Sequence, residues 1–310
     1  MKLRVLFLKK IHILYSLIFI FLSVFLLLIL FGTAGTNVST TIKDNTIIKA
    51  DLTGDGKEDM LYINTESDKY FLQVNALNKS YPINAKGDVN TLGRYYPYNP
   101  MKINLMDLTR DKIPEIFVQA MEKGFSIQHI FSWNGSQFDD LFCSNNNIMG
   151  VVDSKNNKTP KFISAFYSNS SINISYYMYL RNKIEKVDYT NNLPGKDELF
   201  SFINYIQALP YGEANKPIDI FSPGVTGSDI SVIGKLASAN KIYKFNDAFF
   251  ADTKFNKDGE ATEYRWTLNF KATPVSKDSG SENVSIIVKL KKTSQNQQSF
   301  KIYSLMQNDN

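Results

Sequence analysis

The amino-acid sequence predicts a chain that is mostly β, with an α+β region at its C-terminal end and one membrane helix at its start. Three observations lead there. Short alternating or apolar runs, rich in aromatic and β-branched residues, recur between Gly, Asn, Asp and Pro from residue 46 to residue 190. Apolar residues at helical spacing come only later, at 196–209 and 228–239. Ahead of both, Ile11–Phe31 is a long apolar run with no charge beyond the titratable His12.

At about 1.5 Å per residue that run can span a hydrocarbon core of about 30 Å, so residues 1–32 are expected to form a basic flank and a signal anchor. The small residues Gly32-Thr33-Ala34-Gly35 leave cleavage as the alternative. Charge supports the topology. The formal net charge is +5, but Lys2, Arg4, Lys9 and Lys10 precede residue 33, leaving 31 basic against 30 acidic residues beyond it. The basic flank places the N-terminus in the cytoplasm and the bulk of the chain outside, in a single-pass membrane protein. The near-neutral remainder lacks the electrostatic footprint of a nucleic-acid binder. One cysteine excludes an intrachain disulfide framework and a zinc site built on several thiolates. Two histidines leave little room for His-based catalysis or His-rich metal sites.

Residues 33–45 are small and polar and read as a tether. Strands are expected at 46–49, 60–64, 70–75, 102–106, 116–120, 127–133, 161–167 and 173–180. Three of the breaks between them resemble one another. They begin at Asp51, Asp107 and Asp153, each following an apolar run and each followed, nine residues on, by another. A spacing of about 40–50 residues is that of one propeller blade, which makes 46–190 a β-repeat domain of about three units. Three such units are too few to close a ring.

The α+β region, 191–310, starts after Asn191-Asn192-Leu193-Pro194-Gly195. A helix is expected over 196–209, with Asp197 and Glu198 in its first turn and Pro210 as its stop; a second is expected from 228 to 239, capped by Ser228. Four strands follow at 241–254, 261–272, 283–292 and 299–306. An antiparallel sheet with one or two helices on a face is the economical arrangement.

The first loop reads as a ligand array. Asp51, Thr53, Asp55, Lys57 and Asp59 place oxygen donors at alternate positions, Lys57 through its main-chain carbonyl, and Gly54 and Gly56 permit the positive φ that wraps a chain round an ion. Hard oxygen donors without His or Cys select Ca²⁺. Tyr62 stands where an EF-hand would carry its bidentate Glu. The second loop offers Asp107, Thr109, Asp111, Ile113 by its carbonyl, and Glu115, with Arg110 and Lys112 in place of the glycines. The third keeps only Asp153 and Asn157, with Lys155 and Lys161 where donors belong.

The repeated strand, DxTGDGxxD loop and strand resemble the FG-GAP/VCBS repeats of integrin-α-type propellers and of bacterial surface proteins. That resemblance covers about 46–190 and implies calcium held between two strands of a blade by the loop positions just named. An affinity of ~10⁻⁴–10⁻³ M, usual for extracellular modules, would make the ion a structural clip.

Other groups carry less. Tyr95-Tyr96-Pro97-Tyr98 and Tyr176-Tyr177-Met178-Tyr179 are either a contact surface or core tyrosines. His129 and Cys143 read as packed, inert residues, and the adjacent Asp139 and Asp140 point to opposite faces of a strand. The function expected is a non-catalytic binding or assembly protein of the bacterial cell envelope, its client a surface polymer, another envelope protein or a second copy. An outward-facing hydrolase of envelope glycans or peptides and a subunit of a secretion or conjugation machine are the alternatives.

Overall fold

A computed structural model of the chain describes residues 15, 18–20, 39–41, 46–155, 158–169, 171–188, 193–276, 280–294 and 297–308. Except for Tyr15 and 18–20, which are helical and exposed, the expected membrane span lies outside these residues. Among the described residues no helix is long and apolar enough to cross a membrane. The chain divides into Met1–Asn37 and Val38–Asn310, and the described strands all belong to the second unit.

Three antiparallel meanders follow one another. Strand β1 (Ser39–Thr41) precedes the first, which comprises β2 (Thr46–Ala50), β3 (Asp59–Glu66), β4 (Lys69–Ala76) and β5 (Lys79–Ile83). The second is β6 (Lys102–Met106), β7 (Glu115–Glu122), β8 (Phe125–Trp133) and β9 (Phe138–Ser144). The third is β10 (Ile148–Val152), β11 (Lys161–Ser168), β12 (Ser171–Leu180) and β13 (Lys183–Val187). In each, the acidic loop joins the first strand to the second. The expected tether is partly ordered by pairing: Ser39–Thr41 lie antiparallel to Lys102–Asn104 and satisfy the backbone groups of an otherwise open edge of β6.

The sheets do not close a ring. The third meander continues instead into β14 (Lys241–Phe255), β15 (Ala261–Pro274), β16 (Glu282–Ser294) and β17 (Gln297–Asn308) through a parallel pairing of β10 with β14, giving one eight-stranded sheet. That sheet runs across the boundary expected near residue 190.

Helices α1 (Lys196–Ala208) and α2 (Gly227–Ser238) cover one face of it. Leu199, Phe202, Ile203 and Ile206 of α1 and Ile233 and Leu236 of α2 share a core with Ile163, Tyr176, Trp266 and Phe270. The cap of α2 is Thr226, two residues before the expected Ser228. Its side chain takes the Asp229 N–H while the Asp229 carboxylate takes the Thr226 N–H, a reciprocal capping box.

The three meanders stack front to back. Leu61, Ile63, Leu72 and Val74 of the first pack on Ile116, Val118 and Ile127 of the second. Phe117 and Ile130, from the opposite face of the second, pack on Phe162 of the third and Phe249 of β14. Strand patterning follows: β4 alternates buried and exposed residues, whereas β6 is buried throughout, because the first meander is covered on one face and the second on both.

Candidate metal centre

The loop Asp51–Asp59 folds around its own first aspartate. The two Asp51 oxygens accept the N–H groups of Gly54 (2.7 Å) and Gly56 (2.9 Å), and Asp55 Oδ1 accepts that of Lys57 (2.9 Å). Asp59, buried at the start of β3, takes the Leu52 N–H and the Thr53 hydroxyl on Oδ2. Gly54 and Gly56 stand at φ 76° and 82°, as the spacing predicts.

The second loop repeats this network except at its threonine, whose N–H takes the place of the Thr53 hydroxyl. Asp107 accepts from Arg110 N (2.7 Å) and Lys112 N (3.0 Å), Asp111 from Ile113 N (2.8 Å), and Glu115 from Leu108 N and Thr109 N (2.6 and 3.2 Å). Arg110 and Lys112 both hold φ 73°, the left-handed region, without being glycine. The loops touch, since a Cβ on Gly54 would fall 2.5 Å from Ile113 Cδ1.

Their chemistry differs. Asp51 is half-buried and Asp55 exposed, beside a concavity of about 710 Å³ that runs from Asp55–Asp59 to the β4–β5 hairpin at Leu77–Ser80. Glu115 is fully buried under Ser132, whose hydroxyl donates to Oε1 at 3.1 Å. Burial pushes its pKa up to about 7, while the Leu108 and Thr109 donors pull the other way and Asp111 adds repulsion.

The donor chemistry of Asp51, Thr53, Asp55, Lys57 and Asp59 suits a hard cation, and an oxygen that accepts one N–H retains a second lone pair. Among the described residues, no three acidic, His or Cys side chains form a ready-made metal cluster. At the second loop the fit is poorer: Asp107, Thr109, Asp111 and the Ile113 carbonyl lie beside Arg110 and Lys112, while Glu115 is buried much as Asp59 is.

The third loop shows what sequence reading missed. Lys161 occupies its last position, and the carboxylate comes instead from Asp252 of β14. Asp252 accepts the N–H groups of Asp153 and Ser154, the latter at 2.9 Å, while Asp153 Oδ2 accepts Lys158 N at 2.6 Å as Asp51 and Asp107 accept theirs. No local motif signals Asp252, because the parallel β10/β14 pairing brings it in from the C-terminal sheet. Burial raises its pKa. It sits in a cleft of about 560 Å³ beneath the start of α1, floored by Ile163, Tyr176, Tyr264 and Phe300.

A buried polar layer was also missed. Lys102 Nζ lies 2.7 Å from Asp247 Oδ2 and Asn269 Nδ2 lies 2.7 Å from Asp247 Oδ1, all three residues buried between the second meander and the C-terminal sheet. Burial lowers the Lys102 pKa, with Asp247 opposing that shift. Gln119 Nε2 reaches the Ala248 carbonyl across the same interface at 3.1 Å. Intrasheet alternation gives no hint that Lys102 is internal.

The remaining expected groups are placed in packing roles. His129 is buried, its Nδ1 2.9 Å from Asp140 Oδ2 and its Nε2 3.0 Å from the Thr91 carbonyl. Asp139 is on the other side of β9, with Asn134 and Gln137 as hydrogen-bond donors. Cys143 is half-buried and forms no disulfide. Tyr176 joins the helix-covered core and Tyr177 packs on Phe142 and Phe162, while Tyr96 stacks on Tyr98 under Lys271. Comparison with protein-family models finds no match to this chain, and comparison with curated proteins finds none.

Proposed function

We propose that this chain is a membrane-anchored, outward-facing, non-catalytic binding or assembly protein, in which an FG-GAP/VCBS-like β-repeat region carries one structural Ca²⁺ loop at Asp51–Asp59. The observation that supports this reading is the pair of acidic loops whose first aspartate accepts the same two N–H groups, of which only the first keeps both glycines and carries no Arg or Lys in their place. Asp51, Asp55 and Asp59 would hold the ion with the Thr53 hydroxyl and the Lys57 carbonyl. The ion would neutralise three carboxylates that otherwise repel one another and would fix the turn between β2 and β3. Asp252 does not favour the hydrolase alternative, since both its oxygens already accept backbone N–H groups.

The test is thermal unfolding of the full chain in detergent with Ca²⁺ and with chelator. Calcium at tenfold its dissociation constant is expected to stabilise by about 1.4 kcal/mol, a rise of a few degrees. Asp55→Asn should remove the shift and Asp111→Asn should leave it. An unchanged melting temperature in the parent protein at millimolar Ca²⁺ overturns the calcium reading.

A further inference from the structure

The stacking of the meanders leaves one face over. Aligned on Asp51 and Asp107, Met60, Tyr62 and Phe71 of the first meander correspond to Ile116, Val118 and Ile127 of the second. In the second meander those positions form the back face, which the first meander covers. In the first meander they point to solvent: Ile47 is 48% exposed, Met60 37% and Phe71 49%, with Tyr62 half-buried among them. Four large apolar side chains on one flat antiparallel face are more than scattered surface hydrophobes.

We propose that this back face of the first meander is the contact by which two copies of the chain pair about a twofold axis. Three observations select that occupant. The corresponding face of the second meander is already a packing interface, so the backbone shape suits sheet-on-sheet contact. Continuing the stack head to tail would need a free front face on a second copy, and the front of the third meander, Ile163 and Tyr176, lies under α1 and α2. Self-association through this patch is therefore closed and isologous.

The third observation is charge. Lys49 pairs with Met60 at the loop end of the face, and Glu66 lies at the hairpin end, four residues beyond Tyr62, with Lys69 opposite it one strand farther from β2. A twofold axis that runs the strands of the two copies antiparallel lays Lys49 of each copy over Glu66 of the other. Some of the polar groups between them are already paired within the sheet, Asn75 Oδ1 accepting from Gln73 Nε2 and Ser80 Oγ at 2.8 Å each.

Light scattering of the full chain in detergent tests this. The protein mass is expected to approach twice 35.3 kDa at tens of micromolar and to fall to one chain in the double variant Met60→Asp/Phe71→Asp. Phe125→Asp, at a more exposed site on β8, should keep the dimer. Lys49→Glu and Glu66→Lys should each weaken pairing about tenfold, and the two together should restore it. A parent protein that stays monomeric, a dimer that survives Met60→Asp/Phe71→Asp with its melting temperature unchanged, or a charge swap without rescue overturns the proposal. A monomer that instead captures another protein's sheet or a lipid surface on this face counts against it equally.

Discussion

The first and second meanders trace the same path, with nearly the same loop hydrogen bonds, yet they live in different solvents. The first has one wet face and a loop with Gly54 and Gly56 at its two left-handed positions. The second is dry on both faces, and its loop carries Arg110 and Lys112 at those positions and a Glu in place of the last Asp. The comparison shows that the aspartate at the start of each loop, taking N–H groups three and five residues on, is enough to set the turn. Glycine relieves strain there and keeps Arg and Lys side chains out of those positions, which suits the loop to a cation. Neither property is needed for the fold itself.

The largest expected break in this comparison comes from the dry side. Lys102→Met strands Asp247 as a buried charge and should cost about 3–5 kcal/mol in urea unfolding. The same substitution at Lys79, exposed on β5, should stay within about 0.5 kcal/mol. Near-equal losses would mean that the interface between the second meander and the C-terminal sheet contributes little.

The next effect follows pH. The Glu115 pKa lies at about 7 in the folded chain against 4.5 for an unperturbed glutamate. A raised folded pKa means that the folded state holds the proton more tightly. Its stabilisation is complete below the unperturbed value and is lost as pH rises through the folded one, by up to about 3 kcal/mol. Unfolding in chelator from pH 4.5 to pH 7.5 should show that decline, and Glu115→Gln should flatten it.

The smallest effects compare the two loops directly. Gly54→Ala adds a Cβ against Ile113 at positive φ and should cost about 1–2 kcal/mol. Lys112→Gly removes left-handed strain and should gain up to about 1 kcal/mol, less the entropy that glycine adds to the unfolded chain. A loss at Lys112→Gly would mean that the lysine side chain, and not the backbone, holds the second loop.

Much of the fold was legible because its signals are local. Alternation in Tyr70–Asn75, the helical spacing of Leu199, Phe202, Ile203 and Ile206, and the polar turn at Asn256–Gly259 each specify an element by themselves. The short strands Lys79–Ile83 and Lys183–Val187 were not legible, since charged and polar residues at a sheet edge give little pattern and only pairing with β4 and β12 defines them. The cap of α2 was misplaced by two residues because Thr226 and Ser228 are both good caps, and only Thr226 has an acidic partner, Asp229, three residues on. At the candidate site, the first loop could be read whole, from Asp51 to Asp59. The burial of Glu115 could not.

By itself, then, the sequence determined most of the strands, the two helices and the turns with their acidic loops, because these depend on residues within reach of one another along the chain. Tertiary structure alone decided which meander face is wet, that Glu115 is buried, and that Asp252 and Lys102 serve elements about a hundred residues away or more. Those outcomes depend on β10 pairing with β14 and on front-to-back stacking, and long-range pairing leaves no periodic trace in either partner.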